Sequence, residues 1–314
     1  MTFALRRFLL SVVLLPLAVL SYSSVPYKLF GFLNRRLGWF DTLFFVYPAS
    51  SAYARTYAPA WFENYARWVP CPIGVMDYGG GRGLVFGSLM TEADFLAPRN
   101  ANNFSQLMRR MEQLADNLGL KSVRMAGILP STAAKRGETF FEDTSSVAAD
   151  VVLKSFLELR KQNFGDNEAT IAILLGGAGL VGAQVAMRME RLGIPYRILD
   201  QKLGNIDYSV FRANSPMMLV DVARKGALEK YLPHLPDGIV VLNETYPEPG
   251  RRIRESLSQR GAKLFHIRGV EGSVWPNLPG GYADAIPCCG APTDGRDLRV
   301  KLSQLVPEID PVAA

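Results

Sequence analysis

Residues 170–200 read TIAILLGGAGLVGAQVAMRMERLGIPYRILD, and the order of features in this stretch decides the fold. Ile171–Leu175 is an unbroken apolar run, as a strand covered on both faces requires. It enters Gly177-Ala178-Gly179-Leu180-Val181-Gly182, a G-x-G-x-x-G match. Ala183–Leu192 then places Val185, Ala186, Met189 and Leu192 at helical spacing, and Gly193 stops the helix. Pro195–Leu199 is a second strand, and Asp200 stands at its end, 18 residues after Gly182. In a strand–turn–helix that holds a diphosphate, Gly177 permits the tight turn and Gly179 lets the backbone approach the pyrophosphate. Gly182 allows helix and strand to pack closely. The amides that open the helix at Leu180 and Val181, with the helix dipole behind them, favour the anion. Asp200 is placed to accept hydrogen bonds from a ribose diol, which favours NAD. Lys202 beside it can meet a 2′-phosphate, so NADP stays open. The competing reading is an S-adenosylmethionine site, whose ribose also meets an acid after the second strand.

Toward the C-terminus the pattern continues as strand and helix in turn. Met217–Val222, Gly238–Leu242 and Ala262–Ile267 read as strands, with helices over Ala227–Leu232 and Pro249–Arg260. This is a doubly wound, mostly parallel α/β sheet over residues 146–290. Ligands of such sheets bind beyond the carboxyl ends of the strands, which places Asp221, Asn243, Glu244, Arg268 and Glu271 near a cofactor crevice. Asn243 is expected to meet ribose or nicotinamide, and Glu244 is a candidate proton-transfer group. His266 reads as a core residue, Cys288 and Cys289 as buried thiols, and residues 291–314 as a tail.

Toward the N-terminus a smaller α/β domain is expected over residues 41–145. Leu43–Tyr47 and the two apolar runs around Gly79–Gly83 read as strands, the glycines as a turn. Phe104, Leu107, Met108, Met111 and Leu114 mark one helical stripe, and Ser122–Leu129 another strand. Pro130–Thr139 reads as a polar loop carrying Lys135, a candidate catalytic cation. Asp143 could orient it or cap the helix expected over 146–162. Residues 51–68 space Tyr53, Tyr57, Trp61, Tyr65 and Trp68 along one helix face.

Residues 1–40 stand apart. Arg6 and Arg7 precede the uncharged run Phe8–Leu20, which is short for a membrane span. Lys28, Arg35 and Arg36 then alternate with Tyr27, Phe30, Phe32, Trp39 and Phe40, a mixture suited to a lipid headgroup layer. The expectation is a membrane anchor, spanning or in-plane, with the protein on the cytoplasmic face.

Composition agrees with this division. The chain has 314 residues, 48% hydrophobic, with a net charge of +6, of which residues 1–68 supply +5 and 17 of the 33 aromatics. Positive charge this local excludes a basic coat for nucleic acid. Three cysteines make neither a disulfide framework nor a metal site.

Residues 145–290 resemble the two-domain NAD(P)-dependent dehydrogenases of the shikimate dehydrogenase and glutamyl-tRNA reductase type. In those families a catalytic α/β domain precedes a Rossmann domain, joined by a linking helix such as 146–162. A weaker likeness, carried by Met125–Leu129, Glu244–Pro247 and Arg268–Pro276, is to long-chain acyl-carrier-protein reductases. Their linking helix bears a nucleophilic Cys, whereas Ala148–Ser155 holds none. The resemblance implies an NAD(P)-dependent oxidoreductase, here membrane-associated and acting on an acyl or lipid-like carbonyl or alcohol. Its partners would be a lipid surface, a hydrophobic small molecule and, as an option, a second copy of the chain. The alternatives are a methyltransferase and a membrane-tethered nucleotide-binding protein without catalysis.

Overall fold

The computed structural model describes residues 16, 23–48, 50, 51, 54, 55, 67–165, 169–204, 208–212, 215–276, 284–293 and 298–306. The run Phe8–Leu20, apart from Pro16, and the aromatics Tyr53, Tyr57, Trp61 and Tyr65 lie outside the described residues. The chain divides into two units, Met1–Thr144 with Gly272–Leu278, and Ser145–Glu271 with Pro279–Ala314. In chain order the first unit holds α1 (Ser24–Leu37), β1 (Thr42–Val46), β2 (Cys71–Asp77), β3 (Arg82–Gly87), α2 (Glu92–Leu96), α3 (Ala101–Leu118), β4 (Ser122–Met125) and α4 (Leu129–Lys135). The second holds α5 (Ser145–Phe164), β5 (Ile171–Leu175), α6 (Leu180–Arg191), β6 (Tyr196–Leu199), β7 (Met217–Asp221), β8 (Val240–Asn243), α7 (Arg251–Gln259) and β9 (Lys263–Glu271). Next comes β10 (Ser273–Trp275), which belongs to the first unit, and then β11 (Ala285–Ile286) and β12 (Val300–Gln304), which belong to the second.

The first unit is a mixed five-stranded sheet in the order β10-β2-β3-β1-β4. β1 runs parallel to β3 and β4, while β2 and β3 form a hairpin whose turn holds Gly79 at φ +72°. The expected stripe of α3 is buried, with Phe104, Leu107, Met108 and Met111 packed against Leu43, Phe45 and Met125. β10, the strand that returns from after Glu271, seats on β2, where Gly74 leaves the room: a Cβ there would lie 2.5 Å from the Trp275 carbonyl oxygen.

α1 packs on α3 through two positions. A Cβ at Gly31 would lie 1.9 Å from the Asn117 carbonyl oxygen, so only glycine permits the approach. Asn34 is buried, donating through Nδ2 to the carbonyls of Phe40 (2.9 Å) and Leu118 (3.1 Å) and accepting from the Phe40 amide (2.9 Å). Among the described residues no helix is long and apolar enough to cross a membrane. The spanning form of the anchor expected over 1–40 therefore finds no support in its described part. α1 has 14 residues, about 21 Å of helix, and carries three cations.

The second unit is a seven-stranded sheet, β11-β9-β8-β7-β5-β6 with β12 also on β9. Strands β6, β5, β7, β8 and β9 are parallel. From β5 the chain passes through α6 to β6 on one flank, then returns across β5 to β7 on the other. This is a doubly wound, Rossmann-like sheet whose winding reverses between β5 and β7. Leu219, Val241 and Leu264 share a core with Leu257 of α7 and with Leu228, Tyr231 and Leu235.

Four sequence expectations need correction. Pro130–Thr139 is not all loop: α4 covers Leu129–Lys135, because a proline in the first helical turn forfeits no hydrogen bond. Ala227–Leu232 is not an α-helix but lies across two 3-10 turns, Leu228–Lys230 and Leu232–His234, the second with Pro233 at its second position. Residues 291–314 are not only a tail, since β12 pairs antiparallel with β9. Ser273–Trp275, expected within the second domain, leaves it to complete the first sheet.

Candidate functional site

The turn after β5 is tighter than the glycine pattern alone indicates. The residue in the left-handed region is Gly176, at φ +88°, one before the G-x-G-x-x-G match. Its missing side chain also admits the chain after β7, since a Cβ would lie 2.6 Å from Ala223 Cα. Gly177 is needed for closeness instead, as a Cβ there would meet Ile198 Cγ2 at 2.7 Å. At Gly182 a Cβ would lie 2.3 Å from the Gly176 carbonyl oxygen, so helix and turn touch backbone to backbone. Gly179 is the N-cap of α6, and Ala183 makes the first intrahelical bond, to the Gly179 carbonyl at 2.9 Å. The amides of Leu180, Val181 and Gly182 therefore precede the helical ladder and carry the positive end of its dipole. Asp200 directly follows β6 and lies against this turn. One carboxylate oxygen accepts from the Ala178 amide at 3.0 Å, and the other from the Lys202 amide at 2.9 Å.

Across the reversal point, three buried polar side chains form a row at the carboxyl end of the sheet. Asp221, Asn243 and His266 are neighbours by strand register and are 3%, 1% and 0% exposed. Asn243 Nδ2 donates to Asp221 Oδ2 at 3.1 Å, and Asn243 Oδ1 lies 2.8 Å from His266 Nδ1. His266 Nδ1 therefore carries the hydrogen, and its buried Nε2 has no protein partner. Burial holds the imidazole down to about 4, so it is neutral at ordinary pH. Burial raises the Asp221 carboxyl to about 6, opposed by the hydrogen bonds from Ala223 and Asn243. The row ends on the residue that faces Gly176. Asp221 Oδ1 accepts from the Ala223 amide at 3.1 Å, and Thr245 Oγ1 donates to the Ala223 carbonyl at 2.7 Å. Asn243, expected at the cofactor, is thus enclosed and committed to holding Asp221.

Glu244 follows Asn243 in the chain and is half-buried. Desolvation, and then the nearby negative charge of Asp221, push its carboxyl up to about 7. The buried Cys288 thiol lies near it and is raised well above its ordinary value by burial and by Glu244. That direction makes Cys288 a poor thiolate source. The remaining expected catalytic residues, Lys135 at the end of α4 and Asp143 before α5, are exposed and belong to the first unit. Among the described residues no group of His, Cys, Asp and Glu could hold a metal ion. The first unit also has a cavity of about 910 Å³, lined by Asp41, Asp77, Arg82 and Lys121 among others. It opens at the amino ends of β1, β3 and β4, opposite to the end where α/β sheets bind ligands.

The Asp221–Asn243–His266 row escaped the reading of the sequence as a unit. Its only trace there is a polar residue at or near the end of each of three successive apolar runs.

No protein-family model matches the chain, and no curated protein matches it. It is similar to solved structures of several dehydrogenases at low identity. With glutamate dehydrogenase from Thermus thermophilus the identity is 17%, over 72% of this chain and 64% of that chain, with a TM-score of 0.35. With quinate dehydrogenase from Corynebacterium glutamicum in complex with NAD it is 11%, over 72% and 87%, with a TM-score of 0.36. With L-tryptophan dehydrogenase from Nostoc punctiforme it is 10%, over 72% and 69%, with a TM-score of 0.35. The chain spans about two thirds of the length of the Thermus enzyme.

Proposed function

We propose that the second unit binds a nicotinamide dinucleotide, NAD or NADP, where its winding reverses between β5 and β7, and that the protein is an oxidoreductase. The observation that carries this reading is the glycine turn. Gly176, Gly177 and Gly182 leave no room for side chains, and three amides at the start of α6 stand ahead of the helical ladder. A diphosphate suits that backbone surface by charge and by close approach. Leu180, Val181 and Gly182 would hold the diphosphate, with Gly179 keeping the approach open. Asp200 would meet the adenine ribose with its remaining lone pairs, and Ala223 would wall the crevice from the β7 side. When bound, the nicotinamide supplies or takes a hydride.

The chain's own contribution to the chemistry is a proton. A carboxyl held near 7 at this end of the sheet can give a proton to a developing alkoxide or remove one from an alcohol, and Glu244 is that group. The substrate would be a hydrophobic carbonyl or alcohol, supported by the aromatic-rich N-terminal third of the chain.

Fluorescence titration of the purified protein with NADH and NADPH tests the reading. Binding of either in the micromolar range is expected, weakened about tenfold or more in Gly182→Ala. No binding of either overturns it. Binding of S-adenosylmethionine instead moves the protein to the methyltransferases.

A further inference from the structure

α1 has two faces, and the fold uses only one. Tyr27, Phe30, Gly31 and Asn34 turn inward, two of them into the core cluster and two into contact with the end of α3. On the other side Val25, Leu29, Phe32, Leu33 and Leu37 are 70%, 65%, 48%, 41% and 54% exposed. At 3.6 residues per turn these five positions fall within roughly 140° of the helix surface, an apolar stripe interrupted in its last turn by Arg36. Trp39, just beyond the helix, is also exposed. The helix itself supplies only positive charge to this face. Lys28 lies along one edge, and Arg36 lays its guanidinium over the Phe32 ring at 4.3 Å. Arg35, further round, turns toward the end of α3 and donates through Nη1 to the Asp116 carbonyl at 3.2 Å. The 14 residues of α1 contain no acid. The close Gly31 contact and the buried Asn34 amide fix the helix, so the stripe is held outward. Immediately before α1 the chain carries the apolar run Phe8–Leu20 with Arg6 and Arg7 ahead of it.

We propose that the outer face of α1 docks in the plane of an anionic lipid bilayer. Leu29, Phe32, Leu33 and Leu37 enter the boundary between headgroups and acyl chains, while Lys28 and Arg36 meet lipid phosphates and Trp39 sits at the interface. An amphipathic helix whose outer face is apolar, cationic and free of acids is the chemistry that such a surface recognises. Charge complementarity selects the bilayer over a second copy of the chain, whose identical face would oppose cation to cation. The inference stands independently of the nucleotide reading.

Two measurements on the full chain test it, each with vesicles of phosphatidylcholine alone and of phosphatidylcholine with phosphatidylglycerol. In the first, Leu29→Cys in a Cys289→Ser background carries an environment-sensitive fluorophore. A blue shift and protection from iodide quenching are expected on anionic vesicles, diminished by added salt. A probe that stays in water while the chain floats with vesicles overturns the proposal and assigns binding to another segment. In the second, the triple variant Leu29→Ser, Phe32→Ser, Leu33→Ser is expected to lose about tenfold or more in partition to anionic vesicles, its circular dichroism unchanged. Unchanged partition overturns the proposal. So does conversion of a dimer to a monomer in light scattering, which would assign the stripe to a second copy.

Discussion

Glu244 is where residue chemistry and stability meet. Its carboxyl titrates at about 7 in the fold against an ordinary 4.5, so the folded protein disfavours the charged form. At pH 4 the group is mostly protonated in both folded and unfolded chains and costs little. The cost sets in as pH rises through 4.5 and is complete above 7. Glu244→Gln should therefore leave the melting temperature nearly unchanged at pH 4 and raise stability at pH 8 by about 1–2 kcal/mol, after allowance for solvent screening at a part-exposed side chain. Thermal melts at the two pH values check this. As a proton donor, Glu244 would also make carbonyl reduction fall off above pH 7, a limb that the Gln variant should lack in a kcat/KM profile. Asp200→Ala removes the acceptor of both the Ala178 and Lys202 amides. Affinity for NADH should drop about tenfold and affinity for NADPH by less, read by the same titration. The glycines and Asp200 were legible in the sequence because their constraint is local, a strand running straight into a turn. Even so, the left-handed residue is Gly176 rather than Gly177, and only the backbone distinguishes the two.

Among elements, the central parallel strands β5, β7 and β8 are legible in the sequence because strands covered on both faces leave unbroken apolar runs. Their pairing is not. That Asp221, Asn243 and His266 align depends on register between strands more than twenty residues apart, so the sequence assigns Asn243 to a cofactor crevice and His266 to the core without linking the two. The row is enclosed, and removing one member strands the next. His266→Leu leaves Asn243 Oδ1 without its donor and should cost about 1–3 kcal/mol in urea unfolding. NADH affinity should also fall, because Ala223 is held through Asp221. β12 was missed because Val300–Gln304 is only partly buried and shows no clean alternation. At α1, Asn34→Leu deprives the Phe40 and Leu118 carbonyls of their donor. A loss of roughly 2 kcal/mol is expected, with earlier exchange of α1 amides in hydrogen-exchange measurements.

At the scale of the whole molecule, length suggests about two domains, while the shift in charge and aromatic content marks only the leading residues 1–68. The second passage of chain between the two units is not legible in the sequence. Ser273–Trp275 is three residues long and carries no strand signature, yet Val274 is buried and the segment closes the edge of the first sheet. A fragment ending at Thr144 should expose β2 and aggregate, whereas the same fragment joined by a short Gly/Ser linker to residues 272–278 should elute as a discrete species in size-exclusion chromatography. The return strand also imposes an order of events on synthesis. A ribosome releases every parallel strand of the second unit before it releases the segment that finishes the first. At ~5–20 residues per second the first sheet waits on the order of ten seconds with β2 at its rim. Pro72, which lacks an amide hydrogen, and the irregular register between Pro72 and Gly74 blunt that rim against strangers. The nascent chain therefore carries, within β2 itself, the protection it needs until its own late strand arrives.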